Sequence, residues 1–183
     1  HMTTTITIGP YHPYLLEPSM VDLQVQDGTI TDSTITVGFV NRAVEALMET
    51  KTYRQNVFLA ERICGICSVT HSVCFCHAVE DLLGVEIPAR AAYIRTILGE
   101  LERLHSHLLW VGLAGHFIGY NTVLMQPWRI REPVMWLMER ITGNRKHYSS
   151  NLIGGVRFDI GPEGVDDIRA VLDKVGEEFK AVF

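Results

Sequence analysis

The chain has 183 residues, of which 47% are hydrophobic and 20% charged, with a formal net charge of -5. That length supports one sizeable core, read as a single domain over 1–183, and the acidic balance lacks the basic field that phosphate recognition needs, so no nucleic-acid partner is expected. No apolar run reaches spanning length and no basic-then-apolar leader opens the chain, which points to a cytoplasmic location. His1-Met2 reads as an expression-tag remnant.

In chain order, Thr3 to Gly9 and Met20 to Gln26 alternate apolar with polar residues, and Asp27-Gly28 followed by Thr29 to Val37 completes a hairpin. These strands form a small N-terminal antiparallel sheet over 3–37. The loop Gly9-Pro10-Tyr11-His12-Pro13, leading to Glu17-Pro18, is too rich in proline for regular structure and is free to carry chemistry. From Asn41, a candidate N-cap, the period changes to that of a helix carrying Val44, Leu47 and Met48, and a second short helix runs from Tyr53 toward Glu61. A helix is expected from Cys67 to Glu80. Pro88 opens a long one, because Ile94, Ile97, Leu98, Leu101, His105, Leu108 and Leu109 share a face. Gly112, Gly115 and Gly119 weaken its end or allow a close helix contact. Gln126-Pro127-Trp128 is expected to break the chain before a helix over Glu132 to Ile141, which Gly143 stops. Residues Asn151 to Pro162 read as a loop, and Asp166 to Val182 as a final amphipathic helix. The expected fold is mainly α (α+β): a helical bundle over 41–183 with the small N-terminal antiparallel β-sheet. Met125, Met135 and Met138 read as packing, His105 as core and His107 as facing away from it; His12 is a lesser candidate for lining a site.

All four cysteines, Cys64, Cys67, Cys74 and Cys76, fall in one short segment together with His71. In a reducing compartment such a cluster suits ligands or reactive thiols better than disulfides. On the expected helix His71 and Cys74 follow Cys67 on one stripe while Cys76 points away, and Gly65 is expected to permit a tight bend between Cys64 and Cys67. One C-x-x-C is half of what a structural zinc site uses, and a thioredoxin-like motif would follow a strand inside a βαβ unit. Two buried thiols beside a glycine remain the bland alternative.

The cluster does not stand alone. Arg62-Ile63-Cys64-Gly65-Ile66-Cys67-Ser68 with His71 resembles the first cysteine motif of nickel-iron hydrogenase large subunits, R-x-C-G-x-C-x-x-x-H. The segments 9–13 with Glu17-Pro18, 100–108, 131–133, 142–145 and 154–157 resemble the membrane-bound, energy-converting (group 4) branch, which shares its framework with the quinone-site 49 kDa subunit of respiratory complex I. Complex I subunits lack the cysteine pair, so Cys64 and Cys67 favour hydrogenase. The family's second motif, D-P-C-x-x-C, has no match in this sequence, and the expectation is therefore the N-terminal half of a large subunit, which alone would not assemble the complete metal site.

The resemblance implies reversible oxidation of dihydrogen at a nickel-iron centre whose iron carries cyanide and carbon monoxide. It implies Cys64 as a terminal nickel ligand and Cys67 as a bridge to iron, soft thiolates being suited to nickel. Glu17 corresponds to the family's proton-transfer glutamate, a role that would need a carboxyl raised by burial. His71 would donate a hydrogen bond to a ligating sulfur, and Arg62 would offset the negative charge of the centre, against the plainer readings of a core histidine and an ion pair with Glu61 or Glu80. Implied partners are the C-terminal half of the large subunit, a small iron-sulfur electron-transfer subunit and the membrane subunits of an energy-converting complex, which would hold the chain peripheral to the membrane. Two rivals remain: a non-catalytic complex I-like quinone-coupling or structural subunit, and a small zinc or thiol-redox module.

Overall fold

Val21, Leu23 and Val25 on β2 (Met20–Gln26) oppose Ile8, Ile6 and Thr4 on β1 (Thr3–Ile8), and Val21 and Val25 oppose Ile35 and Ile30 on β3 (Thr29–Thr36). Period-two alternation thus gathers the apolar residues of three antiparallel strands on one face, in the order β1-β2-β3. Asp27 and Gly28 both take positive φ, at 52° and 79°, the backbone that a two-residue hairpin turn requires. A bulge at Gln24/Val25 admits Thr31, whose hydroxyl donates to Gln24 O. In this computed structural model residues 3–182 are described, and the His1-Met2 reading lies outside them. They divide into two units, residues 3–43 with the sheet and residues 44–182 with the helices.

The helical unit begins with α1 (Val44–Met48) and α2 (Tyr53–Glu61). Asn41 caps neither: its Oδ1 accepts from Ala43 N–H in a turn ahead of α1. The cap that forms is on α2, where Thr52 accepts from Gln55 N–H and the Gln55 side chain accepts from Thr52 N–H. After the cysteine turn come α3 (Ser68–Leu83), ending at a left-handed Gly84, and α4 (Ala89–Phe117), which opens after Pro88 as expected. Ile94, Leu98, Leu101, His105 and Leu108 form its buried stripe.

The helix α5 (Asn121–Thr142) departs from expectation, because it runs unbroken through Pro127 and Pro133. An interior proline costs about 3 kcal/mol through its missing N–H and ring clash. Burial of Ile130, Val134, Leu137 and Met138 against α4 offsets that cost. The contact is close because α4 presents glycines: a Cβ on Gly112 would lie 2.7 Å from Trp128, and one on Gly115 2.6 Å from Val123. The break falls instead at Gly119, at φ 80°. Met135 and Met138 pack in the core as expected, whereas Met125 is exposed.

Residues 151–162 are not wholly loop, since β4 (Asn151–Leu152) and β5 (Gly155–Val156) form a short hairpin. The last helix, α6 (Pro162–Val182), begins four residues before the expected Asp166, with proline in its first turn. A buried ion pair ties α3, α4 and this hairpin together. Arg95 Nη2 lies 2.6 Å from Glu80 Oε1 and donates to Leu152 O and Gly155 O, while Gly154 N–H donates to the same carboxylate. The described residues contain no helix long and apolar enough to cross a membrane.

Candidate metal centre

Cys64 ends the short turn after α2, and Cys67 occupies the N-cap position of α3. Ile66 N–H and Cys67 N–H both donate to Cys64 Sγ, at 3.3 and 3.4 Å, so the turn folds around the first sulfur. Gly65 is not in the left-handed region, and a Cβ there would meet no atom within 4 Å; the bend comes from the N–H···S bonds, contrary to the expectation for this glycine. His71 stands one turn into α3, its N–H on Cys67 O at 3.1 Å. The ligand atoms of Cys64, Cys67 and His71 all lie within 4.8 Å of one another, and all three residues are half-buried. Cys74 is exposed and Cys76 fully buried, and neither joins the group: the stripe argument anticipated this for Cys76, whereas Cys74, expected on the stripe of Cys67 and His71, lies a further turn along α3.

Two thiols this close share one easily lost proton. Burial pushes Cys64 up, but hydrogen bonds from the Cys67 thiol and from the Ile66 and Cys67 amides outweigh it and bring Cys64 below the ordinary thiol range. Burial, the bond to Cys64, the charge on Cys64 and the Glu102 carboxylate push Cys67 up to about 12. A cation that replaces both protons relieves this repulsion, so the pair is chemically suited to a soft divalent metal. Three donors leave further coordination positions for other ligands.

A polar group that sequence reasoning had passed over adjoins the thiols. Glu102, on α4, is 2% exposed and accepts hydrogen bonds from the first turn of α3. The signal was available: Glu102 falls on the apolar stripe of α4 between Leu98 and His105, where a carboxylate must find partners. His105 is buried as expected, but among polar groups: Arg131 Nε donates to its carbonyl, Arg131 Nη2 faces its Nδ1 at 3.3 Å, and Lys146 Nζ and Tyr148 Oη face its Nε2 at 3.2 and 3.3 Å. Burial and the charges of Lys146 and Arg131 hold its imidazole down to about 3, so it is neutral. Both ring nitrogens thus face a cationic donor, Arg131 at Nδ1 and Lys146 at Nε2, and neither of those side chains can accept a ring proton. Burial, with Arg131, brings Lys146 down to about 8, while Glu102 and Cys64 pull it the other way. One ammonium therefore stands in the field of both the carboxylate and the thiol.

Arg62 donates to Phe58 O at 2.8 Å and lies 3.6 Å from Glu61 Oε2. Its ion pair is thus with Glu61; Glu80 is taken by Arg95. Glu61 is fully buried, with Ser149 N–H donating to Oε2, and its desolvation raises it above the ordinary carboxylate range. His107 is exposed at a groove with Leu104, Val111 and Phe179. Glu17 belongs to the other unit, on the exposed loop between β1 and β2, where its carbonyl accepts from the Ser19 hydroxyl. His12, on the same loop, accepts Tyr14 N–H at Nδ1.

Two family models match in succession: nickel-dependent hydrogenase over residues 42–113, and the 49 kDa subunit of respiratory-chain NADH dehydrogenase over residues 118–182. The chain is 45% identical over 170 residues to the membrane-bound hydrogenase subunit alpha of Pyrococcus furiosus, covering 93% of this chain and 39% of that protein. It is 36% identical over 169 residues to an NADH-quinone oxidoreductase subunit of Geobacter sulfurreducens, covering 92% of this chain and 43% of the relative. A chain in the solved structure of an archaeal membrane-bound sulfane sulfur reductase superposes with a TM-score of 0.88 at 27% identity, over 98% of this chain and 48% of that one. This chain spans less than half the length of each of these relatives. The motif match at Cys64 and Cys67, the two successive family models and the shared fold agree in likening the chain to the framework common to nickel-iron hydrogenase large subunits and the 49 kDa subunit of complex I.

Proposed function

We propose that this chain is the N-terminal half of a nickel-iron hydrogenase large subunit of the energy-converting kind, catalysing reversible dihydrogen oxidation when complete. The observation that carries the reading is the convergence of Cys64, Cys67 and His71 ligand atoms within 4.8 Å. Cys64 and Cys67 would hold nickel, and Cys67 the adjoining iron with its cyanide and carbon monoxide. In the complete centre His71 would orient a sulfur by hydrogen bonding and Arg62 would offset charge, whereas in the chain alone, without the second pair of thiolates, the His71 imidazole would serve as a third donor. The centre supplies heterolytic cleavage of dihydrogen. Around it, this chain's residues would exclude water and move the proton, with Glu17 as the carboxylate that accepts and releases it. On its own the chain offers two thiolates and one imidazole from this group, too few for that centre, so neither hydrogen uptake nor evolution is expected from it.

The missing ligands would come from a C-terminal half covering exposed apolar side chains such as Trp110, Ile118 and Trp136. Further partners are a small iron-sulfur electron-transfer subunit and membrane subunits that hold the assembly at the cytoplasmic face. The relatives named as membrane-bound hydrogenase and as a sulfane sulfur reductase of a respiratory membrane complex support that setting. A complex I-like quinone-coupling role is the second reading, favoured by the match over residues 118–182.

Metal content of the complete subunit tests between them. Stoichiometric nickel and iron with infrared bands from bound diatomic ligands, all lost in Cys64→Ser, support hydrogenase. A complete subunit without nickel, or with full nickel in Cys64→Ser, contradicts it. Glu17→Gln in the complete enzyme should keep the metals but lose most hydrogen-deuterium exchange and dye-linked hydrogen oxidation. Near-normal rates in both assays would remove Glu17 from the proton path.

A further inference from the structure

We propose that Glu102 is a positioning residue for the Cys64/Cys67/His71 group: its carboxylate caps the N-terminus of α3 from outside the helix and so releases the Cys67 thiol from capping. The inference rests on reading those three residues as metal donors. An N-cap residue is usually Ser, Thr, Asp or Asn, whose side-chain oxygen folds back onto the second or third helical N–H. Here the N-cap is Cys67, at φ -121° and ψ 41°, and its side chain makes no capping bond. The N–H groups that a cap would satisfy are those of Val69 and Thr70, and both are held by Glu102. Val69 N–H donates to Oε1 at 2.7 Å and Thr70 N–H to Oε2 at 3.0 Å. The hydroxyls of Ser68 and Thr70 donate to the same two oxygens.

The substitution of roles has a chemical reason. A thiol is a weak acceptor, and one bent back over its own helix would be withdrawn from its neighbours. An anion at a helix N-terminus is favoured by the orphan N–H groups and the dipole, and α4 supplies that anion from 32 residues away in sequence at the nearest bond. Fixing the first turn fixes the donors that ride on it. Cys67 immediately precedes the clamped amides, and His71 closes the same turn through its N–H to Cys67 O. Cys64 is joined through the Cys67 N–H···Sγ bond. Without Glu102 the buried N–H of Val69 and the partly buried N–H of Thr70 lose their acceptor, the first turn frays, and both Cys67 and His71 lose their fixed place relative to Cys64.

The test uses the 183-residue chain with Cys74→Ser to remove the exposed thiol, cobalt(II) as probe, and thiolate-to-cobalt charge-transfer absorption as readout. Glu102→Ala should weaken cobalt binding about tenfold or more and reduce the charge-transfer intensity per bound cobalt. Glu102→Gln, which keeps one acceptor oxygen, should fall between. Glu80→Gln, at the far end of the same helix, is the control for general loss of stability: it should lower the melting temperature and leave cobalt affinity unchanged. Wild-type affinity and absorption in Glu102→Ala, or an affinity loss in Glu80→Gln that tracks its stability loss in the same way, overturns the inference. A metal-free arm measures the equilibrium in which the two thiols of Cys64 and Cys67 become a disulfide as one oxidised glutathione becomes two reduced glutathiones. A shift of about tenfold in that constant in Glu102→Ala supports positioning, and an unchanged constant overturns it. If wild type binds no cobalt, the metal reading falls, and the glutathione arm still decides the role of Glu102.

Discussion

The two ends of α3 are each fastened to α4 by a buried carboxylate, and their partners differ. At the C-terminal end Glu80 meets a cation, Arg95, with a hairpin amide completing its hydrogen bonds. At the N-terminal end Glu102 meets the amides and hydroxyls of the helix itself, next to sulfur and imidazole atoms that converge within 4.8 Å of one another. A closed ion pair has no chemistry left to offer and serves cohesion. An end clamped by an anion that is not itself one of the converging donors keeps those donors open for a ligand.

The comparison breaks first at Glu80. Glu80→Ala leaves the Arg95 guanidinium buried without its carboxylate, and should cost about 3–5 kcal/mol in urea unfolding. A loss under about 1 kcal/mol would mean that the pair is not the structural fastening described.

His105 sharpens the contrast through pH. Its folded value, near 3, lies below the unfolded 6.5, because burial and then Lys146 and Arg131 disfavour its charge. A depressed value means stability that is complete above pH 6.5 and lost as pH falls. The slope should approach about 1.4 kcal/mol per pH unit, or about 2 kcal/mol by pH 5. His105→Gln should be less stable at pH 7 yet flat over that interval, and a wild type equally flat would contradict the neutral-histidine assignment.

Glu61 should show the opposite sign. Desolvation raises its folded value above 4.5, so its contribution is present below that pH and is lost as pH rises. The stability of Glu61→Gln relative to wild type should therefore grow from pH 4.5 to pH 7, and a constant difference would rule this out. The smallest stability effect is expected from Cys64→Ser, within about 0.5 kcal/mol, because the half-buried thiol contributes little packing. A large loss would make Cys64 a structural residue.

Local pattern carried the sequence reading a long way: the span of β2, the Asp27-Gly28 turn, α2, and the cysteine-histidine cluster all follow from residues close in the chain. What it missed depends on contacts made across the fold. Pro127 stays helical only because Gly112 and Gly115 let α5 press against α4, and the role of Glu102 is visible only once α3 and α4 are side by side. The Lys146–His105–Tyr148 group likewise joins α4 to the segment after α5. Asn41 shows the converse error, a good capping residue used in a turn instead.

The central claim is that Cys64, Cys67 and His71 form one soft-metal donor group. X-ray absorption on the chain loaded with one equivalent of nickel(II) tests it directly, by counting sulfur neighbours. The account predicts two sulfur scatterers and at least one imidazole per nickel in the wild-type chain, one sulfur in Cys64→Ser, and no change in Cys74→Ser. A nickel environment of oxygen and nitrogen alone, or one unchanged by Cys64→Ser, would contradict it.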